Sequence, residues 1–291
     1  MNKNTTASAS VDGLLERGRN ALTAHSGADA GREALFLMAG ILEISPAQVA
    51  LERERIVGER ERLEFEARLA RRAQGEPLQY IEGRAAFRDL FLGVDPSVLI
   101  PRPETEQLVE HVLEWCRGRE ALSGLDLGTG SGAIAISLAL EGPFREVVAV
   151  DISPHALNVA RHNISEARVD DCVDLRRGSM FAPLGPEERF HVVISNPPYV
   201  ALGEADSLPA EVRDWEPEVA LFAGTTGLEV IEGIVEGATG HLRAGGLLAI
   251  ELAPDVADAA AGLVEANEEY GDPRLLPDLA GHTRILLAER L

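Results

Sequence analysis

Short apolar runs alternate with amphipathic stretches over the last 170 or so residues of the chain. Runs at 121–127, 147–150, 173–176, 192–195, 247–252, 274–276 and 284–288 have the length and β-branched content of strands. Helical spacing of apolar residues covers 133–140, 154–167, 228–242 and 255–267 between them. Such alternation predicts an α/β fold, with a doubly wound, mostly parallel sheet of seven strands.

The first 74 residues follow a different rule. Leu14, Leu15, Ala21 and Leu22 fall at helical spacing, as do Ala34, Leu35, Leu37, Met38, Ile41 and Leu42. Ser45-Pro46 is a helix start, a capping residue followed by proline at the first helical position. Residues 51–72 mix charges of both signs, as a solvated helix face does. No strand-like run interrupts this region, so residues 1–74 form a small helical domain. Its first ten residues are polar, without the apolar core of a secretory signal, and read as a frayed tail. Gly75-Glu76-Pro77 breaks the pattern. Two short strands, 85–92 and 98–100, then give a β-hairpin linker over 75–103, and a helix begins around Pro101-Arg102-Pro103 and runs to about residue 117. The large α/β domain spans 104–291. Arg102 and Glu104 are either solvated first-turn charges or the rim of a ligand pocket.

Two loops carry candidate chemistry. The strand ending at Ser195 stops at Asn196-Pro197-Pro198-Tyr199. Proline lacks an N–H and fixes φ, so the two prolines force a rigid loop at the carboxyl end of a strand. Open α/β sheets place their ligands there. Asn196 offers an amide acceptor, the Pro197 carbonyl a second one, and Tyr199 a flat face. That set suits a planar NH2 group with two hydrogens to place. An Asn-Pro-Pro turn without chemical purpose fits the same four residues.

The second loop is Asp126-Leu127-Gly128-Thr129-Gly130-Ser131-Gly132. Alternate glycines let the backbone turn sharply and approach a ligand, and the helix beyond offers free N–H groups. Asp151 ends the next strand, where an acid can accept from both hydroxyls of a ribose. Gly128, Gly130 and Ala133 satisfy the dinucleotide fingerprint, so a nicotinamide cofactor fits. S-adenosylmethionine fits as well, with Asp126 at its ammonium group. A loop that holds an amino nitrogen on the same sheet edge then has a purpose, because it presents that nitrogen to a methyl on sulfur.

Charge narrows the partners. Forty-eight acidic residues against 27 basic ones give a net charge of −21, which disfavours a nucleic acid. Cys116 and Cys172 are isolated, as in a reducing cytosol, and the seven histidines show no metal spacing. No apolar run has the length of a membrane span.

The two loops together resemble the amino-group methyltransferases that use S-adenosylmethionine, and Asn-Pro-Pro-Tyr occurs in adenine-N6 methylases too. Three further stretches resemble the HemK/PrmC family more specifically. These are Gly75-Glu-Pro-Leu-Gln-Tyr-Ile81, Leu99-Ile-Pro-Arg-Pro-Glu-Thr-Glu106 and Glu211-Val-Arg-Asp-Trp-Glu-Pro217. The family methylates the glutamine N5 of the Gly-Gly-Gln motif in class 1 peptide chain release factors. The resemblance implies a Rossmann-like methyltransferase sheet, S-adenosyl-L-methionine as cofactor and a release factor as protein substrate. It also implies that Gly128, Thr129, Gly130, Ser131, Gly132, Asp151, Met180 and Asn196 contact the cofactor, and that Asn196, Pro197, Pro198 and Tyr199 hold the glutamine amide. Met180 stands where relatives often carry tryptophan. The expectation is a cytoplasmic, monomeric enzyme without metal, membrane or nucleic-acid substrate, whose residues 1–74 recognise the protein partner. The alternatives are an adenine-N6 nucleic-acid methyltransferase, a methyltransferase acting on another protein or a small amide, and a module that binds cofactor without catalysis.

Overall fold

The structure is a computed structural model that describes residues 9–291; the polar stretch 1–10 lies outside it except for Ala9 and Ser10. The chain divides into two compact units between Gly83 and Arg84.

The first unit is helical: α1 (Val11–Ser26), α2 (Ala30–Leu42), α3 (Pro46–Leu51), α4 (Glu59–Ala73) and α5 (Leu78–Glu82). Ser10 caps α1 by accepting from the Gly13 N–H, and Ser45 and Gln48 form a capping box at α3 with Pro46 in its first turn. Leu14, Leu37, Met38 and Phe65 form a buried core between α1, α2 and α4. Gly18 sets how closely those helices approach. A Cβ there would stand 2.8 Å from Ala34 Cβ and 3.0 Å from the Phe65 ring. Arg72 is buried on α4, where its guanidinium grips Glu33 of α2 in two bonds of 2.8 and 2.9 Å and also donates to the Glu76 carbonyl.

The second unit begins with an antiparallel hairpin, β1 (Arg84–Phe87) and β2 (Leu90–Gly93), followed by α6 (Pro103–Trp115). Strands and helices then alternate: β3 (Leu122–Leu127), α7 (Ala133–Glu141), β4 (Phe144–Asp151), α8 (Pro154–Ala167), β5 (Val173–Arg177) and β6 (Phe190–Ser195). Two short helices follow, α9 (Ala210–Trp215) and α10 (Glu218–Leu221). The chain closes with α11 (Glu229–Thr239), β7 (Leu242–Glu251), α12 (Ala257–Glu265), β8 (Arg274–Pro277) and β9 (Thr283–Glu289). The seven-stranded sheet has the order β5-β4-β3-β6-β7-β9-β8, parallel through β7 and antiparallel at the last two strands.

Both faces of this sheet are covered, so its strands read as continuous apolar runs. Val147, Val192 and Leu247 face one layer with Leu108, Ala135 and Ile164, while Val148, Val193 and Leu248 face the other with Ile231, Val235 and Ala260. The expected helix over 228–242 stops at Thr239, because Gly240 ends it and Leu242 opens β7. The segment 200–222, which has no apolar period, folds into a 3-10 turn plus α9 and α10. No helix among the described residues is long and apolar enough to cross a membrane.

The sheet order fixes where a ligand can sit. The chain runs outward through β3, β4 and β5, then returns to the other side of β3 as β6. The loops leaving β3 and β6 therefore diverge at a topological switch point, and a crevice opens between them.

Candidate active site

The loop from β3 to α7 turns through glycines at positive φ: Gly128 (74°), Gly130 (55°) and Gly132 (83°). At Gly132 a Cβ would also press on Ile136 Cδ1 at 3.3 Å and Ala160 Cβ at 3.4 Å, so glycine is needed for both conformation and space. Asp151 ends β4 and holds this loop. One carboxylate oxygen accepts the Gly130 N–H at 2.9 Å and the other the Ser153 N–H at 2.8 Å. Burial pushes this carboxyl above its ordinary range, against the pull of those N–H groups. Asn163 of α8 braces the loop from behind. Its Nδ2 donates to the carbonyls of Ser131 (2.8 Å) and Gly93 (2.9 Å), and its Oδ1 accepts from the Gly93 N–H.

The loop after β6 begins beside this one. Ser195 Oγ donates to the Leu127 carbonyl at 2.7 Å, and Val200 pairs with Phe222 beyond the two prolines. The Asn196 amide donates through Nδ2 to Thr105 Oγ1 at 2.9 Å, and Thr105 donates in turn to Glu251 Oε2 at 2.6 Å. Thr105 lies in the first turn of α6 and Glu251 at the end of β7.

Between the loops lies a cavity of about 300 Å³. Its walls include Gly128, Thr129, Gly130, Ser131 and Asp151 on one side and Asn196, Pro197 and Pro198 on another. Met180 lines it as well, at a positive φ of 48° uncommon for a side chain of that size. Gly233 of α11 makes room for the Met180 thioether, for a Cβ there would meet its sulfur and methyl at 3.1–3.2 Å.

Four expected residues do not line the cavity. Gly132 shapes the loop from beneath. Asp126 is fully buried under it, accepts from Thr129 Oγ1 at 2.6 Å, and leaves its Oδ1 without a partner. Its side chain is shut off from the cavity by the loop above it. Burial lifts the Asp126 carboxyl to about 7 against the Thr129 hydroxyl. Tyr199 packs into the apolar layer beneath the sheet, and burial raises its phenol pKa. Arg102 turns away and grips the buried Glu216 at 2.6 and 2.7 Å, joining the segment before α6 to the one after α9.

Several lining residues escape a reading of the sequence: Ser97, Val98, Thr105, Ser153, Val219 and Phe222. Thr105 and Glu216 fall inside stretches already notable for resemblance, without a role attached. Glu251 had a signal of its own, as the lone acid closing an apolar strand.

The cavity's donors and acceptors fit S-adenosylmethionine. Its volume is at the lower end for a small-molecule site, Asp151 keeps lone pairs beyond the two N–H bonds it accepts, and the glycine loop lets a ligand approach the backbone.

Comparison with known proteins identifies a family. The family model for the PrmC N-terminal domain matches residues 13–83, and that for the methyltransferase small domain matches residues 104–210. A release factor glutamine methyltransferase from Rhodopirellula baltica is 39% identical over 81% of this chain and 81% of its own. Another so named, from Nitratidesulfovibrio vulgaris, is 38% identical over 100% of this chain and 98% of its own. A solved methyltransferase from Pyrococcus furiosus shares the fold, with a TM-score of 0.53 at 21% identity over 77% of this chain and 98% of that one. The chain belongs to the release factor glutamine methyltransferase family, and membership of this class of enzyme implies S-adenosylmethionine as the methyl donor.

Proposed function

We propose that the protein methylates the side-chain amide nitrogen, N5, of the glutamine in the Gly-Gly-Gln motif of a class 1 release factor. The observation that carries this reading is that one cavity is walled by both the glycine loop with Asp151 and by Asn196-Pro197-Pro198. When bound, S-adenosylmethionine supplies an electrophilic methyl group on a sulfonium sulfur. Asp151 would accept from the ribose hydroxyls, and the Gly128–Gly132 loop would enclose the cofactor.

An amide nitrogen is a weak nucleophile because its lone pair is delocalised. Orientation is therefore the main contribution the chain makes, and good alignment of reacting groups lowers a barrier by roughly 7–11 kcal/mol. Asn196 Oδ1 accepts one N–H of the glutamine amide, and the stiffly held Pro197 carbonyl accepts the other. Both acceptors favour the positive charge that builds on nitrogen as the new N–C bond forms. One N–H proton then leaves to water, so no carboxylate base is needed.

Residues 1–74 would contact the release factor, since every cofactor residue lies after them. The net charge of −21 supports a protein substrate over a nucleic acid. The reading carries with it a cytoplasmic, monomeric enzyme. It is tested by incubating the protein with labelled S-adenosylmethionine and a release factor, and separately with an adenine-containing oligonucleotide, and mapping the label by mass spectrometry. A single methyl on the Gly-Gly-Gln glutamine is expected. Label on the oligonucleotide alone, or on no glutamine, would overturn it.

A further inference from the structure

An asparagine amide has two nearly isosteric orientations, and only one presents an acceptor to an incoming N–H. Something must choose between them. Asn196 Nδ2 lies 2.9 Å from Thr105 Oγ1, which lies 2.6 Å from Glu251 Oε2. A carboxylate only accepts. Thr105 has one hydrogen, and an ionised Glu251 claims it. The Thr105 oxygen can then only accept, so the Asn196 NH2 must face it and Oδ1 is left for the cavity.

We propose that Thr105 and Glu251 are positioning residues, which hold the Asn196 amide with its oxygen directed at the nitrogen to be methylated. This rests on the proposed function of the site. Neither residue needs to touch the reacting atoms to act in this way.

The direction of the relay depends on the charge of Glu251. Once protonated, Glu251 can donate to Thr105, which is then free to donate to an asparagine oxygen, and the amide loses its preferred orientation. Burial lifts the Glu251 carboxyl to about 7; Glu104 of α6 adds to the rise, and the Thr105 bond with the Arg284 and Arg102 charges opposes it. Tyr199 is the other titratable group facing it. Turnover should therefore fall as pH drops through neutrality, with an acidic limb that belongs to Glu251.

The test combines kinetics with a direct view of the amide. Thr105→Val keeps shape and removes the hydroxyl, and it should lower kcat about tenfold to a hundredfold. S-adenosylmethionine affinity should move less than about threefold, since the relay orients the acceptor amide. Thr105→Ser should restore most of kcat, and both Thr105→Val and Glu251→Gln should lose the acidic limb. In 15N-labelled wild type, the Asn196 side-chain NH2 signal, identified by its loss in Asn196→Asp, should titrate with a midpoint near 7. That titration should vanish in Glu251→Gln. Wild-type kcat in Thr105→Val, or an NH2 signal indifferent to pH in the wild type, would overturn the relay. A wild type that methylates no glutamine would instead overturn the function, and the NH2 signal would still judge the relay.

Discussion

Leu127 and Ser195 are register partners on adjacent parallel strands, and the Ser195 hydroxyl donates to the Leu127 carbonyl at 2.7 Å. The next residue on each strand is therefore Gly128 on one side and Asn196 on the other. A Cβ on Gly128 would stand 4.0 Å from the Asn196 carbonyl oxygen. One register pair thus sets the distance between the cofactor loop and the amide-holding loop, and puts both on one cavity.

Asp151 should be a cofactor contact and a loop support at once. Asp151→Asn keeps one acceptor and loses the charge. A hydrogen bond to a charged group contributes roughly 1.5–3 kcal/mol, so S-adenosylmethionine affinity should weaken about tenfold to a hundredfold. Calorimetric titration reads this. Unchanged affinity would remove Asp151 from the cofactor site.

Asp126 should make stability fall as pH rises. Its folded pKa is about 7 against an ordinary 3.8. Between those values the folded protein holds a proton that the unfolded chain has released, so each step upward in pH disfavours folding. Asp126→Asn removes the charge and can still accept from Thr129. Its urea-unfolding free energy should exceed wild type by on the order of 2 kcal/mol at pH 8, a difference that vanishes near pH 4. A variant less stable than wild type at pH 8 would refute this.

Gly227 should be intolerant of a side chain. It sits at φ 80°, and a Cβ would come within 2.6 Å of the Tyr199 carbonyl oxygen, which is backbone and cannot step aside cheaply. Gly227→Ala should cost about 2 kcal/mol or more in urea unfolding and lower turnover by shifting the Asn196–Tyr199 loop. A loss below about 0.5 kcal/mol would contradict the contact.

Local signals made much of this legible beforehand. Continuous apolar runs and period-3.6 stretches gave the order of strands and helices along the chain, because both faces of the sheet are buried. The glycine loop and Asn-Pro-Pro-Tyr marked the two strand ends, because only glycine and proline impose such turns. What stayed hidden depends on distance along the chain or on direction of side chains. Thr105 and Glu251 are 146 residues apart and meet only because α6 packs by the end of β7. Asp126 belongs to the glycine motif by spacing, yet strand alternation turns its side chain inward. Arg102 stands beside the pocket in sequence, but Glu216 from 114 residues away claims its guanidinium. Segment 200–222 has no period to read, and its place is set by the bridge between Val200 and Phe222.

The central claim is that Asn196 presents the glutamine amide inside the cofactor cavity, and Asn196→Asp tests it most directly. The carboxylate is nearly isosteric and a good turn former, so a loop with a purely structural asparagine would tolerate it. Its negative charge would attract the sulfonium in the ground state, and that attraction weakens as the charge disperses during transfer. The measurement is the rate of methyl transfer to a release factor by folded Asn196→Asp beside wild type, with S-adenosylmethionine affinity determined in parallel. The account predicts a rate lower by roughly 10²–10³, with cofactor affinity kept or raised. Transfer at a near wild-type rate would contradict it.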